Sequence, residues 1–490
     1  VFRQIKEIFD PYNLMNPGKV ISDDPHLILK NLRPPTVVTP QSTPELVELN
    51  LRWSPQQLST EANRCNGCGA CRTVSPDTRM CPVFRIDPLE DASPRAKANL
   101  IRGLSSGMLK EEDLSSPEMK SIANLCFNCK QCQLECPTNV NIPHLMIEAK
   151  AAYVAAHGLD KADWFLSRVH WMGSLAGRAP LFSNWVLGSG LPRWMLEKFA
   201  GIARHRKLPP FARQNFMKYA QREWLVRPVR RSDKPPVVYF VDHYANYHDP
   251  ELGKALVAIL RHHGIPVYVP QGQITSGMAM FSAGDIDAAR KNAEKNLREM
   301  AELARDGMRI ICTEPAAALC LKYEYPMFVD HPDVQVLADS VVEAGAFLRE
   351  LRDENSLHME FNPLRASLDY HTPCHLRALG QGTPFRELLD LIPKLKVNTI
   401  EKGCSGMAGA YGLTSANFRD SLRIGWKLVS HMKRTKAHAG VTECSSCKLQ
   451  MEQGTEIPTV HPLKLLAWSY GLIPGLERIL EPVPRRFTTT

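Results

Sequence analysis

The spacing of eight cysteines between Cys65 and Cys136 limits this chain more than any other feature. They run Cys65-x2-Cys68-x2-Cys71, then Cys81-Pro82, then Cys126-x2-Cys129-x2-Cys132-x3-Cys136-Pro137. A disulfide framework suits a small secreted domain, but this chain has 490 residues and opens on the polar stretch VFRQIKEIFD, unlike a signal peptide. Repeated C-x2-C spacing in such a chain points to metal, and to a reducing, cytoplasmic compartment. The composition, 44% hydrophobic and 23% charged, excludes a fibrous or disordered protein. No apolar run reaches the ~18 residues needed to cross a bilayer.

The second cysteine run has the C-x2-C-x2-C-x3-C-P pattern of bacterial ferredoxins. Short spacing lets three thiolates reach three corners of one cubane, while the fourth cysteine bends away to the other cluster. Cys65, Cys68, Cys71 and Cys136 are therefore expected to hold one [4Fe–4S] cluster. Cys126, Cys129, Cys132 and Cys81 are expected to hold a second. Two zinc knuckles are the competing reading. They pair C-x2-C units, and a third cysteine three residues on, then Cys-Pro, is not their habit.

The flanking sequence divides by texture. Residues 1–20 read as a helix (Ile5, Ile8, Phe9) stopped by DPYNLMNPG, and 21–58, with its PP, TP and SP steps, as a linker. Residues 59–155 are expected to form a helical two-cluster domain, with helices at 94–106 and 142–157. Residues 156–234 read as a helical connector. From 235 onward short apolar runs (VVYFV, PVYV, MRIIC) alternate with amphipathic helices, the order of a parallel sheet covered by helices. This order is expected over 235–330 and again over 367–475, with 331–366 as a linker. The two halves superpose with a constant offset of 129 residues: Ser276-Gly277-Met278 falls on Ser405-Gly406-Met407, and Thr313-Glu314 on Thr442-Glu443. The fold class expected is α+β and multidomain: a mostly helical two-cluster domain, then two tandem parallel α/β repeats.

In the second repeat Cys374 follows the first strand, Cys404 the second, and Cys444-x2-Cys447 the third. Groups just past the carboxyl ends of parallel strands gather in one crevice, so four thiols from distant parts of the chain converge. They would hold a third iron–sulfur cluster or a zinc ion. The same offset puts Ala245, Thr275, Pro315 and Ala318 in the first repeat, which makes that repeat degenerate, without ligands. Cys312 and Cys320 fall off this register and read as packing residues. His375, beside Cys374, reads as an ordinary loop residue, with a hydrogen bond to a sulfur of the third set as the alternative, and His461 as packing a terminal helix.

Charge is concentrated in one segment. The formal net charge is +9, and between Asp160 and Lys234 there are 15 Lys/Arg against 5 Asp/Glu, with five of the eight tryptophans. Such a stripe suits an anionic membrane surface, an acidic partner or nucleic acid. No nucleic-acid motif interleaves with it, so nucleic acid is not expected. A helical scaffold packing its tryptophans between domains is the favoured expectation, and peripheral contact with the inner face of a membrane the alternative.

The stretches RCNGCGACRT, ASPRAKANLIRGLSSG, CFNCKQCQLECPTNVNIPHL, GCSGMAGAYG and TECSSCKLQME resemble the iron–sulfur half of fused FAD-linked dehydrogenases that act on 2-hydroxy acids. The chain is also similar to the iron–sulfur subunits of glycolate oxidase and anaerobic glycerol-3-phosphate dehydrogenase, and to the cysteine-rich domain of heterodisulfide reductases. The opening IKEIFDPYNLMNPGKV resembles the tail of an FAD-linked oxidase domain. With Val1 in first place, the resemblance implies a piece of a longer system whose flavin domain, with the substrate site, lies upstream or on a partner subunit. It implies an oxidoreductase passing electrons from FAD through iron–sulfur clusters to a quinone or a carrier, for a substrate like glycolate, D-lactate or 2-hydroxyglutarate. No acid–base catalyst is expected in this chain. One departure stands out: the family reads Cys-Cys-Gly where this chain has Cys404-Ser405-Gly406, which favours a single four-iron cubane in a transfer role. The alternatives are a reductase of heterodisulfide type whose third cluster is the catalytic site, and a zinc-binding interaction module.

Overall fold

A computed structural model of the chain describes residues 1–18, 21–27, 49–75, 78–229, 232–401, 403–435, 437–475 and 480. Most of the expected linker at 21–58 lies outside the described residues. Its last four residues belong to a helix start. Ser54 accepts a hydrogen bond from the Gln57 amide at the head of the helix Pro55–Asn63. Proline lacks only an N–H that would be orphaned there, and serine satisfies a second one, so Ser-Pro begins a helix. Ser93 does the same for Pro94–Ser105, and Ser116 for Pro117–Asn124.

These three helices and Ile142–His157 enclose one apolar core, built on Leu58, Ala62, Ile101, Met119, Leu145 and Met146. Cys65, Cys71, Cys126, Cys132 and Cys136 pack against it. The helix Phe2–Phe9 buries none of its residues.

Two four-stranded parallel sheets follow. The first contains β1 (Val237–Phe240), β2 (Val267–Tyr268), β3 (Ile310–Cys312) and β4 (Val341–Glu343), in the order β2-β1-β3-β4. The second contains β5 (Ala366–Tyr370), β6 (Leu395–Thr399), β7 (Ala439–Val441) and β8 (Thr459–Val460), in the order β6-β5-β7-β8. Helices such as Pro250–His262 and Phe418–Arg434 cover them, and one core cluster runs from Val237 and Tyr239 through Leu368 and Tyr370. The repeats are thus packed into one body.

The stretch 331–366 is not a linker. It holds the helix Val334–Ser340, then β4, then the helix Ala344–Asp353, and Ile310 pairs with Val341. A three-residue strand directly joined to a helix leaves no alternation to read, which is why VVEAGAF does not stand out as an element. The 129-residue offset holds for the first three strands and fails at the fourth. Between β3 and β4 the first repeat inserts a π-helical turn at Cys320–Glu324 and the helix Tyr325–Phe328.

Among its described residues the basic connector forms five helices, from Lys161–Ser167 to Phe216–Arg222. It is anchored by Arg206, which is fully buried in the second repeat. Its guanidinium donates to the Gly412 carbonyl at 2.7 Å, to Ser421 at 2.9 Å and to Gln450 and Gln453, and lies over the Phe418 ring. The tryptophans do not pack between domains. Trp164, Trp171, Trp185, Trp194 and Trp224 are all exposed. Among the described residues no helix is long and apolar enough to cross a membrane.

Candidate metal centres

The two C-x2-C-x2-C loops share one backbone design. Gly67 and Gly69 have φ of 77° and 75°, and Asn128 and Lys130, at the same places in the second loop, have 56° and 60°. Alternating left-handed residues turn successive N–H groups toward one concavity, a backbone arrangement that suits an anionic iron–sulfur core. Glycine takes this conformation freely; asparagine tolerates it, and lysine needs outside support. Lys130 has that support, because its ammonium meets the buried Glu324 carboxylate of the first repeat at 2.9 Å. His144 Nε2 meets the other Glu324 oxygen at 2.6 Å.

All fourteen cysteines are free thiols. Cys68 is exposed, Cys65, Cys71 and Cys136 are half-buried, and Cys81 and Cys132 are buried. Burial pushes the Cys71 thiol up, with Cys65 and Cys68 adding to it. Cys132 is pushed well up by burial, then by Cys126 and Cys81, and also by Cys71 of the other loop. Burial opposes ionisation of Cys136 too, yet the Thr138 hydroxyl and the amides of Val140, Thr138 and Asn139 outweigh it and hold that thiol below its ordinary value.

Cations are buried among these thiols without carboxylate partners within reach of a hydrogen bond. Lys97 is buried and donates to the Ala92 carbonyl at 2.9 Å. Lys150 donates to the carbonyls of Cys126 and Ser282, and burial lowers its pKa to about 8. A buried ammonium held only by carbonyls is costly unless a negative charge faces it. Thiolates bound to an iron–sulfur core would supply that charge.

Cys374, Cys404, Cys444 and Cys447 converge at the carboxyl ends of β5, β6 and β7. Cys374, Cys404, Ser405 and Cys447 line one cavity with Arg79, Pro82, Gln131 and His371. The Ser405 hydroxyl donates to the Cys447 sulfur at 3.2 Å, and the Gly406 amide to the Cys404 sulfur at 3.3 Å. Hydrogen bonding with Cys447, then burial, raises Cys444 well above its ordinary value. Cys374 is raised by burial and by Cys404 and Cys444. Four crowded, buried thiols ionise only against a nearby positive charge.

The same cavity holds orphaned polar atoms. Arg79 Nε, Gln131 Oε1 and His371 Nδ1 are buried with no hydrogen-bond partner. Arg79 donates from its Nη1 to the Thr372 carbonyl at 2.9 Å, and its charge faces Cys404, Cys374 and Cys447. A guanidinium with no carboxylate partner among the described residues, facing three thiols, fits an anionic metal cluster. None of Arg79, Lys97, Lys150 or Gln131 stands out in the sequence; the weak signal is the run of basic residues threaded among the cysteines.

This third set abuts the second ferredoxin-type loop. One amide nitrogen, Gln131 Nε2, donates to the Cys129 carbonyl at 3.0 Å and to the Cys374 carbonyl at 3.1 Å. His375, read as a plain loop residue, instead joins the two domains, its Nε2 bonded to the Asn128 carbonyl at 2.9 Å. Burial raises Cys129 well above its ordinary value, with Cys374 and Cys404 adding to the effect. Cys81 and Cys404 share an apolar patch with Phe84, Phe127 and Tyr411.

In the first repeat the corresponding corner is closed by other contacts. Asp242 accepts from the Tyr244 and Ala245 amides and from Thr313, which also bonds the Tyr239 hydroxyl. Cys312 and Cys320 are wholly buried in its apolar core. His461 begins the helix Pro462–Ser469, accepting the Leu463 amide on Nδ1, while its Nε2–H reaches across to the Thr313 carbonyl of the first repeat at 3.1 Å.

Comparison with known proteins follows the same division. Residues 61–140 match the family described as 4Fe-4S dicluster domain, and 237–320 and 368–452 each match the cysteine-rich domain. The chain is 29% identical to a subunit of the anaerobic glycerol-3-phosphate dehydrogenase of Escherichia coli (strain K12), over 83% of this chain and 98% of that protein. It is 23% identical to D-2-hydroxyglutarate dehydrogenase of the same organism, over 95% of this chain but only 48% of that protein, so it spans about half of that relative. It is 24% identical to a subunit of the fumarate reductase (CoM/CoB) of Methanothermobacter marburgensis, over 84% of this chain and 73% of the relative. The chain thus carries a two-cluster iron–sulfur domain and two cysteine-rich domains, and its relatives are oxidoreductases or their subunits.

Proposed function

We propose that the chain is the electron-transfer part of a flavin-dependent dehydrogenase of 2-hydroxy acids, with the flavin on a separate domain or subunit. The observation that supports this reading is that the Cys65–Cys71 and Cys126–Cys132 loops share one inward-turned backbone, and that Cys374, Cys404 and Cys447 line a cavity with Arg79. Cys65, Cys68, Cys71 and Cys136 form the first set, and Cys126, Cys129, Cys132 and Cys81 the second. Cys374, Cys404, Cys444 and Cys447 form the third.

A four-iron cluster, when bound, supplies a one-electron carrier at such a set. The chain's own residues do the rest. Lys97, Lys150 and Arg79 offset buried negative charge, and the hydrogen bonds of Gly406 and Ser405 to sulfur tune the third set. The series has an open end at the exposed Cys68. At the inner end, Gln131 and His375 hold the second and third sets together.

The acceptor we propose is a quinone or a carrier protein, reached from a membrane surface. The support is that the connector exposes Trp171, Phe182, Trp185 and Phe199 and also carries the exposed basic residues Arg178, Lys198 and Arg204. Aromatic and basic side chains together suit the interface of an anionic bilayer.

The deciding experiment is iron, acid-labile sulfide and zinc per chain after anaerobic purification. About twelve irons are expected for three four-iron clusters. About eight would remove the third set from the proposal, and zinc replacing the iron would overturn the electron-transfer reading. Sedimentation with anionic lipid vesicles tests the surface: Trp171→Ser with Trp185→Ser should abolish it, and no binding by the parent chain would exclude membrane contact.

A further inference from the structure

A cluster of three imidazoles lies outside the cysteine sets. His262 and His263 end the helix Pro250–His262 and its cap, and His358 comes from the segment between the two repeats. One ligand-capable nitrogen from each ring lies within 4.8 Å of the others. His262 Nε2 and His358 Nδ1 are 3.2 Å apart. Two nitrogens bound to one tetrahedral zinc at ~2.0–2.1 Å stand about 3.3–3.4 Å from each other, so this pair already has the spacing of shared ligands.

His263 supplies the independent observation. It is buried, and its Nδ1–H donates to the Ile259 carbonyl at 2.7 Å, which leaves Nε2 as a lone pair. Nε2 is buried and has no partner. Tyr470 braces the group, its ring 5.0 Å from His262 and 5.4 Å from His263, its hydroxyl bonded to the His358 carbonyl at 2.6 Å.

We propose that His262, His263 and His358 form a binding site for a divalent ion of the zinc class, with its fourth position open to water. Three imidazoles without a thiolate or carboxylate suit a borderline ion over magnesium, calcium or an iron–sulfur cluster. The end of a helix adds favourable negative potential, against which Lys234, facing His263, works. A bound ion would pin a helix of the first repeat to the segment that leads into β5.

The test uses the full chain with its iron in place, dialysed anaerobically against micromolar free zinc at pH 7.5, with zinc and iron then counted by elemental mass spectrometry. About one zinc per chain is expected with iron unchanged. His262→Ala and His358→Ala alter exposed residues and should fold, and each should weaken zinc binding by about 100-fold or more, since even losing the support of a ligand costs 10–100-fold. His331→Ala, at a half-buried histidine outside the cluster, should bind zinc as the parent does. No zinc uptake, equal uptake by parent and both site variants, or uptake matched by loss of iron would each overturn the site. The iron count is read separately, so this proposal and the electron-transfer reading fail independently.

Discussion

The Ser405 hydroxyl donates to the Cys447 sulfur across 3.2 Å. A hydrogen bond to a ligand sulfur favours the more negative, reduced state of a cluster. Ser405→Ala is therefore expected to leave the iron count unchanged and lower one midpoint potential by roughly 20–60 mV, the one-electron equivalent of about 0.5–1.5 kcal/mol. Potentiometric titration followed by EPR reads it. Loss of about four irons would instead make Ser405 a ligand.

Arg79 is the cation of the same cavity. Arg79→Met keeps bulk and removes charge, so the third set should lose iron to a chelator well before the ferredoxin-type sets do. A time course of iron release gives the answer. Uniform release from all sets would show that the arginine is only packing.

Gly406 and Gly277 are counterparts with φ of 86° and 85°, but their surroundings differ. A β-carbon on Gly406 would stand 2.1 Å from the Ser421 carbonyl, whereas on Gly277 its nearest neighbour is 3.7 Å away. Gly406→Ala should therefore force the Cys404 loop off the helix Phe418–Arg434 and cost at least about 3 kcal/mol, with iron lost from the third set. Gly277→Ala should cost only the left-handed backbone penalty, about 1–2 kcal/mol. Thermal melts of the two variants side by side test the contrast.

Stability should depend on pH through buried histidines. Burial holds both His243 and His461 to about 3, so in the native chain they are neutral where the unfolded chain, at about 6.5, takes up protons. Each contributes stability that is complete above about pH 6.5 and is lost as the pH falls below it, by up to about 1.4 kcal/mol per pH unit. His461→Gln should flatten the profile between pH 6.5 and 5 by one proton while lowering stability above it. An unchanged slope would show that His461 protonates freely in the native chain.

The cysteine spacing makes the metal chemistry legible, and short apolar runs make six of the eight described strands legible, because both are local. What stays hidden depends on distant neighbours. Nothing near Arg79 or Lys97 in sequence says that they are buried, nor that Gln131 touches a residue 243 positions away. β4 hides inside an expected linker because its three residues are defined by pairing with β3. The tryptophans of the connector are expected inside, since a large aromatic in a helix gains most by burial; whether a partner surface exists is not written in the helix itself.

Lys130 holds its left-handed backbone while its side chain reaches Glu324, on a π-helical turn of the repeat that has no cysteine ligands. The shape of a cysteine loop in the dicluster domain is thereby braced by the neighbouring repeat. That repeat acts on the loop as a template. Damage to its core, at Tyr325 or Phe328 for instance, should surface first as faulty cofactor loading in a neighbour, before any loss of its own secondary structure.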